Sequence, residues 1–123
     1  MSSWTEQDLA AFDRASEIQV AGRRENGTPR KLVTIWHVVV DGAVYIRSVY
    51  GPDGQWYKGV IRHHEGIVSL GGTSHQVTYI TDRSQDDAVD AAYFDKYGKG
   101  APSQRITAAV AKTTTLRIEP TAV

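Results

Sequence analysis

Between Arg47 and Lys58 the chain reads Arg-Ser-Val-Tyr-Gly-Pro-Asp-Gly-Gln-Trp-Tyr-Lys, a stretch that holds the residue types used to bind a phosphate monoester. Such a group is anionic and rich in acceptor oxygens, so it wants the fork of an arginine, the point charge of a lysine and hydroxyl or backbone donors. Arg47, Lys58 and Ser48 supply these around a loop, Gly51 to Gly54, whose glycines let the backbone come close. The plainer reading pairs Arg47 with an acid on the wet face of a strand and leaves Lys58 solvated on a helix. Trp36, Tyr45, Trp56 and Tyr57 would suit the walls of a flat apolar slot for a tricyclic ring. Singly, each is an ordinary core residue, Trp36 above all. Trp56 and Tyr57 follow a loop, where function concentrates.

Other chemistry finds less support. His63-His64 invites a metal or acid–base reading, but neighbours on a helix point about 100° apart and do not readily chelate one ion. The chain has no cysteine, which removes disulfides, thiolate nucleophiles and cysteine metal sites, and the histidines lack a spaced carboxylate partner; no metal is expected. His37 lies within a strand and reads as a packed or paired side chain, and His75 reads as a turn residue. There is no Gly-x-Ser-x-Gly elbow. Asp86, Asp87 and Asp90 form an acidic cluster that suits the first turns of a helix rather than a catalytic carboxylate pair.

The elements that must position these residues are legible from local signals. Thr5 with Asp8 resembles a capping pair and opens a short helix on Leu9, Phe12 and Ser16. Glu17 to Ala21 suits a strand, followed by a polar stretch to Pro29 with a turn at Asn26-Gly27. Two β-branched runs, Leu32 to Val40 and Ala43 to Val49, are joined by Asp41-Gly42, which predicts a type I′ hairpin. Along its second strand Tyr45, Arg47 and Val49 share one face and Val44, Ile46 and Ser48 the other. Gln55 to His64 reads as a helix burying Trp56, Val60 and Tyr57, weakened by Gly59. Ile67 to Leu70 and Gln76 to Thr81 form a second hairpin around Gly71-Gly72. Ser84 with Asp87 opens a helix carrying the stripe Val89, Tyr93, Tyr97 and stopped by Gly98. Gln104 to Ala111 is ambiguous, and Thr113 to Glu119 is a last strand.

These elements predict one α+β domain over residues 1–123, with about six strands in a closed or half-closed antiparallel sheet and short flanking helices. Parallel winding is disfavoured, because no strand is followed by a crossover helix. With 41% hydrophobic and 23% charged residues the chain has the composition of a folded globular domain. Lys plus Arg balances Asp plus Glu at 14 each, which argues against nucleic acid or an anionic membrane as partner. The start, Met1-Ser-Ser-Trp, lacks a basic segment followed by an apolar one, so a cytoplasmic location is expected.

One order of features goes further: the basic pair Arg23-Arg24, a Gly-Thr-Pro turn, Arg30-Lys31, Thr34-Ile-Trp36, Asp41-Gly42, Tyr45-Ile-Arg-Ser48, and Trp56-Tyr57 after a glycine-rich loop. It resembles the flavin-binding split-barrel superfamily, pyridoxamine phosphate oxidase-like, especially small members that use the deazaflavin F420. More closely it resembles an uncharacterised bacterial family of this length. The resemblance implies a homodimer of six-stranded split β-barrels with a flavin-like cofactor, FMN or F420, in a groove at the subunit interface. Its phosphate would be held by Arg47, Ser48 and Lys58, with Arg30 and Lys31 as looser matches and Trp56-Tyr57 alongside. Two features depart from the deazaflavin reductases, the short Gly-Pro-Asp-Gly loop and the lysine after Trp56-Tyr57. The acidic tail of F420 would ask for a longer basic track such as Arg23, Arg24 and Arg30.

Three functions compete on this basis. The first is a flavin- or F420-dependent oxidoreductase acting on a small organic substrate, in which the cofactor carries the hydride. The second is a non-catalytic protein that binds a cofactor or small metabolite in the same groove. The third, ranked last, is a cofactor-free enzyme with His63 or His64 as general base.

Overall fold

A computed structural model describes residues 3–121. Helix α1 (Glu6–Arg14) starts where local chemistry dictates: the Thr5 hydroxyl accepts from the Asp8 amide, and the Asp8 carboxylate accepts from the Thr5 amide. The helix buries Phe12, which meets Trp4 edge-on at 4.8 Å. Trp4 donates its indole N–H to the Ile118 carbonyl at 2.8 Å, so the N-terminal segment is tied to the far end of the chain.

Strand β1 (Ile18–Gly22) follows, and then the run expected as one strand divides into β2 (Val33–Ile35) and β3 (Val38–Val40). β3 turns through Asp41 and Gly42, both at positive φ (48° and 77°), into β4 (Ala43–Ile46), which is the expected type I′ hairpin. After a short 3₁₀ turn at Gly51–Asp53 come α2 (Gln55–Ile61), β5 (Glu65–Leu70), β6 (Thr73–Thr81), α3 (Asp86–Tyr97), the short α4 (Ala101–Ile106) and α5 (Ala109–Lys112), and β7 (Leu116–Pro120).

Every strand pairing is antiparallel, in the order β2-β1-β5-β6-β7-β4-β3. The described residues thus form a seven-stranded sheet rather than the expected six, and the extra strand has a clear origin. β2 and β3 are the two edges of the sheet, yet only Trp36 and His37 separate them in the chain. The sheet must therefore curl until those two residues bridge its edges. Tyr97 holds the bridge: its hydroxyl accepts from the His37 amide (3.2 Å) and lies 2.8 Å from the Ser16 carbonyl and 3.0 Å from the His37 carbonyl.

Curling creates an inside and an outside. Val20, Val44, Ile46, Val68, Val77, Tyr79, Leu116 and Ile118 pack inside, with Trp4 and Phe12 closing one end. Outside, Val38 and Tyr45 pack against Val89 and Tyr93 of α3 and Ile106 of α4. The alternation of Val44 and Ile46 with Tyr45 and Arg47 is thus a choice between the inside of the curled sheet and the helix layer, both of them buried. α2 lies flush on β1: a Cβ on Gly22 would come within 2.7 Å of the Gly59 carbonyl oxygen, and one on Gly59 within 2.8 Å of Arg30 Cδ. Gly59 costs helix propensity because this close approach leaves no room for a side chain.

A cleft between two indoles and two arginines

On the side of the sheet next to the Trp36 bridge lies a cleft of about 280 Å³. One wall is Thr34, Ile35 and Trp36, from β2 and the residue after it. Trp56 from α2 also lines it, with Arg47 and Val49 from the segment just after β4. The third wall is one face of α4, where Pro102, Arg105 and Ile106 fall at i, i+3 and i+4. Trp36 is rigid, because one face of its ring stacks on Tyr97 at 4.0 Å and 6°, and Tyr97 neighbours Tyr93 in turn at 6.0 Å.

Arg47 borders the cleft but is directed away from it. Its side chain is fully buried, and its N–H groups have five partners. Nε donates to Thr115 Oγ1 (2.9 Å). One terminal nitrogen donates to Asp90 Oδ1 (2.5 Å) and the Ile106 carbonyl (3.2 Å). The other donates to the Asp86 carbonyl (3.2 Å) and Asp86 Oδ1 (3.1 Å). A guanidinium has five N–H donors, so none remains for a phosphate. The acids are held from outside as well, Asp86 by Arg83 (2.8 Å) and Asp90 by Lys112 (2.7 Å). Burial alone would raise the pKa of Asp86, but hydrogen bonds from Arg83 and Thr115 and the charge of Arg47 outweigh it and hold the carboxyl below its ordinary value. The guanidinium also lies 5.8 Å above the Tyr93 ring. This arrangement is the ion-paired alternative from the sequence, with the pair buried under α3 rather than wet.

The remaining candidates are dispersed. Ser48 is buried; its amide donates to Thr114 Oγ1 at 2.8 Å, and its own hydroxyl, without a partner, lies where a Cβ on Gly54 would meet it at 2.2 Å. It therefore faces the loop backbone and not the cleft. Tyr57 is buried in the core inside the curled sheet and Tyr45 in the helix layer, so of the four aromatic candidates only Trp36 and Trp56 line the cleft. Trp36, expected above all as core, is half-buried and forms a wall. Lys58 and Lys31 are exposed. Arg30 is half-buried, with its stem over Gly59 and its Nε buried without a partner. Gly59 is one helical turn from Trp56, so Arg30 sits over the face of α2 that also carries the indole. Arg23 and Arg24 brace their own loop, donating to the Gly27 and Pro29 carbonyls at 2.9 and 2.7 Å.

The residue that sequence reasoning missed is Arg105. It is exposed, it borders the cleft, and it takes part in none of the ion pairs among the described residues. Its only signal was Pro102 three residues earlier, a residue favoured in the first turn of a helix.

The histidines lie elsewhere. His37 is buried, with Nε2 2.6 Å from the Phe12 carbonyl and Lys96 Nζ 3.2 Å away; burial pushes its pKa down to about 4. His63 and His64 follow α2 rather than ending it, both exposed, with His64 Nδ1 3.1 Å from the Tyr79 carbonyl. No group of three or more metal-ligating side chains is found among the described residues, and none of their helices is long and apolar enough to cross a membrane.

Several solved structures share this architecture. A conserved hypothetical protein from Mycobacterium tuberculosis superposes with a TM-score of 0.64 at 16% identity, covering 98% of this chain and 82% of that one. An F420 reductase gives 0.62 at 15% identity, covering 97% of each chain. A protein described as a domain-swapped dimer gives 0.55 at 15% identity, covering 87% of this chain and 81% of the other. At these identities the likeness is one of fold. No curated protein matches the chain in sequence. Residues 8–118, almost the whole chain, match the family described as uncharacterized protein conserved in bacteria (DUF2255), and the chain belongs to that family.

Proposed function

We propose that this chain binds the ring of a flavin or of the deazaflavin F420 in the Trp36–Trp56 cleft and uses it as an oxidoreductase on a small organic substrate. The observation that carries this reading is the cleft itself: two indoles, one fixed by stacking, border an opening beside an uncommitted arginine. Its volume lies just under the roughly 300–1,000 Å³ of small-molecule pockets, a size for a ring system rather than a whole nucleotide-like cofactor. The fold shared with an F420 reductase and the resemblance to the split-barrel superfamily support the same reading.

The cofactor would supply hydride chemistry, and the chain's own residues would do the rest. Trp36 and Trp56 orient the ring and keep water from its faces. Of the two residues whose positions matched the phosphate-binding pattern, Arg47 borders the cleft with no donor left, and Ser48 faces the loop. The phosphate role then falls to Arg30, with a buried free Nε over α2, to the exposed Lys31 next to it in the chain, and to the exposed Lys58, which adjoins the Gly59 that Arg30 covers. Tyr50 is 75% exposed and Val110 52%, and they adjoin at the 3₁₀ turn, where Gly51 packs on Val110; this apolar patch suits the homodimer that the resemblance implies.

A carrier or sensor is the second reading, favoured by one observation: the residues that border the cleft, among those described, include no carboxylate or imidazole. Titration of the purified protein with FMN and with F420, followed by tryptophan quenching, tests both. Micromolar binding weakened about tenfold or more by Trp56→Ala is expected, and turnover with reduced cofactor then separates enzyme from carrier. Absence of binding by both at high micromolar concentration overturns both readings.

A further inference from the structure

The cleft has two cationic side chains, and only one has anything left to offer. Arg47 has all its donors engaged, whereas Arg105 has no ion-pair partner among the described residues. The buried cluster beneath does not neutralise Arg105 from a distance either, since Asp86 and Asp90 are already met by Arg47, Arg83 and Lys112. Arg105 is also well placed rather than loosely attached. Ile106 and Ser103 of α4 are buried, which fixes the helix, and Pro102 and Arg105 lie on its cleft-lining face. An arginine so held next to two indoles matches a flat ligand in its plane and its charge together, because a guanidinium pairs with a planar oxyanion through a fork of donors.

We infer that Arg105 is the specificity-determining residue of the cleft, selecting a planar ring that carries a negative charge over the same ring without one. This rests on the reading of the cleft as a ring site, and it holds whether the charged ring belongs to the cofactor or to an aromatic acid acting as substrate.

Naphthalene-carboxylate and its neutral carboxamide, titrated by tryptophan fluorescence at low salt, separate charge from shape. Wild type should bind the carboxylate about tenfold more tightly than the amide, a usual size for one charge-assisted hydrogen-bonded contact. Arg105→Gln should bring the carboxylate down to the level of the amide and leave the amide unchanged, which also reports an intact cleft. Arg105→Lys should restore part of the preference. Equal binding of the two probes by wild type, a preference that survives in Arg105→Gln, loss of the amide along with the carboxylate, or no binding of either probe would each overturn the inference. FMN and F420 are titrated in parallel. If neither binds while the carboxylate preference holds, the proposed function fails and the role of Arg105 stands. Carboxylate that displaces F420 identifies the charged ring as the cofactor's, and carboxylate that binds alongside a bound cofactor identifies it as a substrate's.

Discussion

Arg47 and Arg105 border the same cleft, and they belong to different parts of the molecule. Arg47 comes from the end of a strand and is roofed by α3 and α4, so its charge is matched by Asp86 and Asp90 and its donors by Thr115 and two backbone carbonyls. Arg105 comes from the exposed side of a short helix and has no partner among those ion pairs. The contrast separates presence of charge from availability of charge. A buried guanidinium whose hydrogen bonds are complete is part of the fold, and its removal leaves carboxylates without compensation. A solvated guanidinium at a cleft mouth adds little to stability but is free to meet a ligand.

Four measurements would break or sharpen that contrast. Arg47→Ala should be the most damaging, destabilising the protein by about 3–5 kcal/mol in urea unfolding, because Asp86 and Asp90 would lose the cation between them. A loss below about 1 kcal/mol would mean the cluster is not the sealed unit described here. Acid should act next through His37, which shares the sealed interior. Its pKa in the fold is about 4 against an ordinary 6.5, so the unfolded chain takes up the proton first as pH falls. The contribution is complete above pH 6.5 and is lost as pH drops toward 4, a difference of about 3 kcal/mol across that window. His37→Gln should flatten this part of the stability profile. Lys112→Ala removes a half-exposed partner at the rim of the Arg47 cluster and should cost about 1 kcal/mol or less. Arg105→Gln should change stability by no more than about 0.5 kcal/mol, and a larger loss would place Arg105 with Arg47 as a structural residue.

What the sequence discloses follows the range of the forces involved. The Thr5–Asp8 capping box, the Asp41-Gly42 and Gly71-Gly72 turns and the stop at Gly98 are each decided within four or five residues, and they form as expected. The Ser84–Asp87 cap does not form. Ser84 instead donates its hydroxyl to Asp82, and Gln85 stands at the helix start without a side-chain cap. The split of Leu32 to Val40 into two strands is invisible locally, since Trp36 is a good strand residue and neither Trp36 nor His37 breaks a strand; the curl of the sheet and the Tyr97 hydroxyl impose it. The end of α2 before His63-His64 and the two short helices that overlap Gln104 to Ala111, α4 and α5, are equally beyond local signals. For the cleft, Trp56 was legible as an aromatic after a loop, and Trp36 was seen but weighed as core. Arg105 was missed because the segment around it showed no clear period. Arg47 stood out for its type and position, but its partners lie about 40 to 70 residues away.

The position of β7 has a consequence for how the chain reaches this state. It is inserted between β6 and β4, and it alone joins the hairpin of β3 and β4 to the rest of the sheet by backbone pairing. Val44 therefore meets Ile118 across a gap of roughly 70 residues, and Trp4 also awaits the Ile118 carbonyl. The separate ribbons can form early, but they have no keystone to lock against until Leu116–Pro120 is in place. Assembly of the curled sheet thus waits for β7, and a truncation before Leu116 would leave two ribbons unjoined by backbone pairing instead of a slightly smaller protein.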